Sequence, residues 1–444
     1  MLSHMEASVI SPPSVYDRMR LDDAQLCALL VSGRSRRALQ AVFGRPYYQQ
    51  LEHLAQRAAR AKLRHPVPVY LLPGILGTQL GLARAAPEAA DLLWIDPQDI
   101  IAGRLTLMRL HTAVTAGDAA QLITLGAIPY TYLALQLRLT AAGHRVLMHQ
   151  YDWRRSLTVL AREFAARVRA DGAPEAMIVA HSMGGLIARA SITLPGMERV
   201  QRMISLGVPH GGSYGALQAL RGTYPVVRRL AALDRQHDAE TLASEVFGSF
   251  PSLYELLPPA AGAAPDLHRA TNWPLAGPRP NLELLQAARG FFSGLAATDE
   301  RHCAIVGLGQ RTVTGIRCSS EDFHYQISST GDGTVPFDSA RLEGRANYQL
   351  RCEHSALPRS ATVARAIHEL LATGHTRALK SIAALGAPPD RPASHTTVSD
   401  QQLRCNWSAK VDWQKCTPAE RREYLNRLNQ APPQYAARRP PSSR

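Results

Sequence analysis

The sequence predicts an α/β protein: a mostly parallel central sheet with helices on both faces and a cap inserted over it. Three observations carry that expectation. Five short apolar runs rich in branched residues are separated by helix-length patterns. Strands that alternate with helices form parallel sheets covered on both sides. The first of these runs ends on Pro73-Gly74, as a strand feeding a tight loop does. One long stretch, about residues 212–300, breaks the rhythm and reads as an insertion over the sheet.

The elements follow in chain order. Residues 1–64 form a helical extension, in which Leu51, Leu54 and Ala58 recur at three- and four-residue spacing. The α/β domain spans residues 65–385. "PVPVYLLPGILGTQL" (66–80) opens it with a buried strand that ends at Pro73-Gly74. Four further strand-like runs follow: "HRVLMHQY" (144–151), "EAMIVA" (175–180), "RMISLGV" (202–208) and "HCAIVGLG" (302–309). The insertion at 212–300 carries "VVRRLAAL" and the aromatic "FGSFPSLYELLPP". Residues 386–444 read as a linker (386–400) and a basic C-terminal tail. In the tail, Thr417, Pro418 and Glu420 match a capping box at the start of a short helix. The final "APPQYAARRPPSSR" has the composition of a disordered segment.

Composition narrows the class. The chain has 444 residues, 45% hydrophobic and 19% charged, enough to bury a large core. No apolar run approaches the roughly 20 residues that cross a bilayer. The N-terminus lacks a basic segment followed by an apolar one, so it does not read as a secretory signal. A cytoplasmic protein is expected, with signal-independent export left open. The six cysteines form no C-x-x-C pair and no zinc-finger spacing, and free thiols are expected. The net charge of +14 sits at the ends. Residues 1–64 hold ten basic and five acidic side chains, and residues 401–444 hold nine and three. Only four of the basic residues are lysine. Basic flanks around a nearly neutral centre suit peripheral contact with an anionic membrane more than recognition of nucleic acid, which is not expected.

The chemistry centres on "IVAHSMGGLIARAS" (178–191). A nucleophilic serine at the carboxyl end of a strand needs small residues two positions either side, because the strand turns sharply into a helix. Ser182 has Ala180 before it and Gly184 after it. A helix starting beneath it aims its positive end at developing negative charge. A plain turn serine remains the alternative. A nucleophile needs a base and an orienting acid, in the chain order serine, acid, histidine. "STGDGTVPFDSA" (329–340) offers Asp332, and "RCEHSALPRS" (351–360) offers His354 ahead of a helix at 359–372. His210, His324 and His368 are competing bases, and Cys352 has no supporting motif. The oxyanion needs two amides. Met183 follows the nucleophile, and Ile75 follows Pro73-Gly74 in an early loop.

These stretches carry a resemblance. "PVYLLPGILGTQL", "LLWIDPQDII", "YDWRRS", "AHSMGGLIAR", "SLGVPHGGS", "FPSLYELLP" and "GDGTVP" occur in order over about residues 66–360. Together they resemble the lecithin:cholesterol acyltransferase family, which includes lysosomal phospholipase A2 and phospholipid:diacylglycerol acyltransferases. The resemblance implies an α/β-hydrolase fold with Ser182, Asp332 and His354 as the triad and Ile75 and Met183 at the oxyanion hole. It implies transfer of ester-linked acyl chains of lipids to water or an alcohol, without a metal or other cofactor. The sequence departs from secreted members in lacking a signal peptide and a tight cysteine pair for a lid disulfide. Trp94, Trp153, Phe250, Tyr254 and Leu257 are candidates to bind substrate, with Phe247, Leu253 and Leu256 alongside. Ordinary core packing is the alternative for each. A lipid acyl hydrolase or acyltransferase is the leading expectation. An esterase of non-lipid or polyester substrates is the rival within enzymes. A non-catalytic binder of anionic surfaces or nucleic acid is the rival outside them.

Overall fold

The computed structural model describes residues 23–83, 90–110, 122–260, 262, 264–382, 396–405 and 410–428. Its strands are β1 (His65–Leu72), β2 (Thr78–Leu82), β3 (Asp91–Trp94), β4 (Leu122–Ala127), β5 (His144–Met148), β6 (Ala176–His181) and β7 (Val200–Leu206). They continue as β8 (His302–Leu308), β9 (Thr312–Cys318), β10 (Phe323–Ser328), β11 (Ala346–Arg351), β12 (Lys380–Ser381) and β13 (Thr396–Ser399). The central sheet has seven strands in the order β12-β11-β8-β7-β6-β1-β5. Every neighbouring pair is parallel except β11 with β12.

The five strands expected from apolar runs are all in this sheet. The sixth parallel strand, β11, was not apparent in the sequence. Only Tyr348 of its six residues is buried, so it carries no apolar run. Alternation along the inner strands feeds two cores. Tyr70, Leu72, Ile178, Ala180 and Met203 face one side, and Val69, Leu71, Val179 and Ile204 face the other.

Helices cover both faces. Ahead of the sheet, the described part of residues 1–64 holds α1 (Asp23–Ser32), α2 (Arg36–Phe43) and α3 (Arg45–Arg60). Leu30, Tyr48 and Leu51 bury against Leu133, Ala134 and Leu137 of α4 (Pro129–Ala141), so the extension shares a core with the α/β domain. Leu160 and Phe164 of α5 (Leu157–Ala170) and Leu186 and Ile187 of α6 (Met183–Ser191) fill the first core. The chain between β7 and β8 includes α7 (Tyr214–Leu220), α8 (Pro225–Leu233) and α9 (Pro251–Glu255). On the second face, Val363, Ile367 and Leu370 of α10 (Ala361–Thr373) pack beside Leu135 and Leu139 of α4. No helix among the described residues is long and apolar enough to cross a membrane.

Two small antiparallel sheets, ordered β3-β2-β4 and β13-β10-β9, were not foreseen. The second corrects the linker expected at 386–400. Residues 383–395 lie outside the described residues, but Thr396–Ser399 form β13 against β10. Asp400 is then fully buried in an ion pair with Arg221, Nε to Oδ2 at 2.7 Å. Tyr325 donates to its other oxygen at 2.8 Å. A chain end that supplies a buried charge is part of the fold. The tail helix α11 (Pro418–Leu428) starts with the expected capping box: Thr417 and Glu420 exchange backbone-to-side-chain bonds of 2.8 and 3.3 Å. Residues 431–444, expected to be disordered, lie outside the described residues. None of the six cysteines is joined in a disulfide.

Breaking a buried ion pair strands an uncompensated charge and costs about 3–5 kcal/mol. Asp400→Ala should lose stability of that order in chemical denaturation, because Arg221 keeps its burial and loses its partner. A change within about 0.5 kcal/mol, as at an ordinary surface site, would show that the C-terminal segment does not hold the cap.

Candidate active site

Parallel pairing sets the ends of β1 and β6 side by side, with Leu72 opposite Ala180. The loops that follow therefore leave the sheet together. Ser182 turns the chain from β6 into α6 at φ 54°, ψ −130°, a conformation rarely held by a residue other than glycine. The small flanking residues have steric reasons. Ala180 is fully buried between β1 and β7. A Cβ on Gly184 would strike the Pro73 carbonyl, and one on Gly185 would strike Val208.

Three sequence-expected residues meet here. The Ser182 Oγ lies 2.8 Å from His354 Nε2, and His354 Nδ1 lies 2.7 Å from Asp332 Oδ2. The amides of Thr334 and Val335 donate to Asp332 Oδ1 at 3.0 and 2.7 Å. The His354 amide donates to the Asp332 carbonyl at 2.9 Å. Asp332 and Ser182 are 2% and 6% exposed. His354 follows β11, which lies beside β8. Asp332 reaches the same edge by a longer path: the β9–β10 hairpin leaves β8 and returns through a bridge between Gln310 and Asp332.

The loop after β1 closes over the serine. A Cβ on Gly74 would sit 2.8 Å from Ser182 Cβ and 3.3 Å from its Oγ, so only glycine permits this approach. Ile75 and Leu76 both border the cleft at Ser182. Met183 is the first residue of α6, and a first helical amide has no carbonyl four residues back to bond. Ile75 and Met183 thus flank the nucleophile from two sides.

A buried hydrogen-bond chain, not foreseen from sequence, connects this loop to the histidine. The Gly74 amide donates to Tyr132 Oη at 2.8 Å, so the tyrosine proton points at His181 Nδ1, 2.9 Å away. His181 Nε2 then carries the ring proton and donates to the His354 carbonyl at 3.1 Å. Burial drives the His181 pKa well below the ordinary histidine value, which keeps the ring neutral as this arrangement requires.

Ser182 opens onto two adjoining spaces. One is a cleft bordered by Gly74, Thr131, Tyr132, Tyr224, Glu353 and Leu428. The other is an apolar groove under the insertion, lined by Ala216, Ala219, Val226, Phe247, Leu253 and Leu256.

The five substrate-binding candidates are elsewhere. Trp94, Trp153, Phe250, Tyr254 and Leu257 are fully buried and border neither space. Around α9, Leu253 and Leu256 border the groove, whereas Phe250, Tyr254 and Leu257 do not. Phe250 packs edge-on against Trp153, and Trp153 against Trp94. The two indoles hold the loop after β1. Trp94 Nε1 donates to the Leu76 carbonyl at 2.9 Å, and Trp153 Nε1 to the Thr78 carbonyl at 3.0 Å. Among the rival bases, both ring nitrogens of His210 are buried without a hydrogen-bond partner among the described residues, and burial pushes it to about 3. His324 lies in β10 and His368 in α10, bonded to His144. Burial pushes the Cys352 thiol up to about 11, away from a reactive thiolate.

A parallel sheet in this order, with a strained serine between strand and helix and an acid and histidine at later strand ends, defines the α/β-hydrolase fold. The chain matches the PGAP1-like alpha/beta domain family over residues 137–244, a stretch that contains the serine turn and the start of the insertion. No curated protein matches it in sequence. Similar solved structures include a chain of the Tle4–Tli4 complex, at 16% identity and TM-score 0.41, over 67% of this chain and 96% of that one. The mature lipase BlEst2 of Bacillus licheniformis gives 13% identity and TM-score 0.35, over 71% of this chain and 96% of that one. The carboxylesterase CesB of Bacillus subtilis gives 11% identity and TM-score 0.31, over 74% and 98%.

Tyr132→Phe removes the hydroxyl that accepts from Gly74 and donates to His181. An orphaned buried donor costs about 1–3 kcal/mol, and misplaced reacting groups cost up to about 100-fold in rate. The variant should lose at least about tenfold in kcat on an ester substrate with KM little changed. An unaltered kcat would show that the chain does not set the site's geometry.

Proposed function

We propose that the protein is a serine ester hydrolase acting on lipid acyl esters through an acyl-enzyme on Ser182. The observation that carries this reading is the Ser182–His354–Asp332 constellation opening directly onto an apolar groove. His354 Nε2 takes the proton of Ser182 as Oγ attacks the ester carbonyl. Asp332 holds the imidazole through Nδ1 and stabilises its cation. The amides of Ile75 and Met183 receive the oxyanion, a contribution of about 3–4 kcal/mol per donor in comparable sites. His354 returns the proton to the leaving alcohol. It then activates water, or an acceptor alcohol, for deacylation. The acyl chain lies in the groove beneath α7 and α8, and the leaving group exits through the cleft. The ordered motifs that resemble the lecithin:cholesterol acyltransferase family support the lipid substrate class and allow an alcohol acceptor. The basic termini suit approach to an anionic lipid surface.

Ser182→Ala should abolish hydrolysis of p-nitrophenyl esters and labelling by a fluorophosphonate, while its thermal unfolding stays close to that of the parent. Retained activity in that variant ends the assignment. The groove has its own test. Ala216→Phe narrows it from the α7 side and should lower kcat/KM on a palmitoyl ester about tenfold relative to a butyryl ester. Equal losses on both esters would place the acyl chain elsewhere and favour a short-chain esterase.

A further inference from the structure

We propose that His65, His144 and His368 form a binding site for a divalent transition-metal ion, with zinc as its first candidate, at the sheet edge opposite the candidate active site. The three come from distant parts of the chain. His65 opens β1, His144 opens β5 directly beside it, and His368 lies in α10. The strands are parallel, so both histidines mark the edge where strands begin, whereas Ser182 and His354 follow strand ends.

One ring nitrogen from each histidine lies within 4.8 Å of the others. His144 Nε2 and His368 Nδ1 are 2.8 Å apart, and the His65 and His144 rings stack with centroids 4.4 Å apart. Nitrogens on one tetrahedral zinc stand about 3.4 Å from each other, given Zn–N bonds of about 2.0–2.1 Å. The one resolved nitrogen pair, at 2.8 Å, is closer than that and no pair exceeds 4.8 Å, so side-chain rotations could bring all three into one coordination sphere.

A second observation points the same way. His144 is 3% exposed, and its Nδ1 has no hydrogen-bond partner among the described residues. A single proton shared between His144 and His368 leaves that nitrogen unsatisfied whichever ring carries it. A cation bound at His144 Nδ1 would give that nitrogen a partner, whereas one bound at Nε2 would leave Nδ1 carrying the ring proton.

The donor set selects the ion. Three imidazoles without a carboxylate suit zinc, nickel or copper and not magnesium or calcium. The nearest acid in sequence, Glu369, is already engaged by Thr376 and the amides of Arg377 and Ala378. His65 and His368 are partly exposed, which gives the ion a route in and leaves a fourth position for water. A bound ion would tie β1 and β5 to α10, the helix that follows the turn bearing His354.

The test uses tag-free full-length protein stripped with a chelator. Calorimetric titration with zinc should show one ion per chain, and cobalt should give the visible absorption of a tetrahedral site. Saturating zinc should raise the unfolding temperature. His65→Ala, at a partly exposed strand end, and His144→Ala should each weaken binding at least about tenfold and abolish the thermal shift. His65→Ala keeps the test valid if the buried substitution prevents folding. His354→Ala should bind zinc as the parent does, which separates this site from the candidate triad. Absence of stoichiometric binding in the parent, or parent-like binding in His65→Ala, overturns the proposal.

Discussion

The register between β1 and β6 is the constraint on which the site depends. Leu72 opposite Ala180 brings two loops within van der Waals contact at the moment each leaves the sheet. No side chain fits between them. Gly74 has none where it passes Ser182, and Gly184 has none where α6 passes Pro73. Ser182 keeps its uncommon backbone conformation because β6 pairs on both sides and α6 is packed beneath it. The strain is local, and the surrounding core sustains it.

Buried aromatic side chains turn that contact into a rigid site. Tyr132, Tyr151, Trp94 and Trp153 each carry one polar atom on a large apolar body. Each directs it at the loop after β1: the Gly74 amide and the carbonyls of Pro73, Leu76 and Thr78. A loop with its backbone groups fixed this way presents its remaining amides in one geometry. Stabilisation of developing charge requires dipoles already in place before the reaction. The two tryptophans therefore matter to the site through the loop they hold, although neither borders the space where a substrate would lie.

Whether a feature could be read in the sequence depended on how local its cause was. The inner strands are buried on both faces, so their residues are apolar in unbroken runs and visible as such. The serine turn was legible because its steric demands fall on residues two positions away. β11 was hidden because it lies near the sheet edge with one buried residue. Asp332 could be placed in a turn, but not at the end of β8, because a hairpin intervenes. Asp400 looked like linker because its partner, Arg221, lies 179 residues earlier in the insertion. The insertion's aromatic stretch announced burial without saying which of its residues border the groove. In each missed case the deciding contact joins residues distant in the chain.

The insertion gains its shape from outside itself, and this bears on how a substrate would reach the serine. Tyr224 and Val226 stand where the cleft and the groove meet, at the start of α8. That helix is held by the chain's last described residues: Tyr424 donates to the Arg229 carbonyl, and Arg229 donates to the Arg427 carbonyl. Leu428, which ends α11, is itself a wall of the cleft. From the other side, Glu255 of α9 accepts from Ser156 and the Leu157 amide at the start of α5, which fixes the insertion to the sheet-covering layer. A cap fastened at both ends cannot swing away as one body. On the proposed reading, widening the groove for a long acyl chain would instead begin at α8 and α11, where the cap's anchor is a few exposed or half-buried bonds and not the fully buried pair of Arg221 and Asp400.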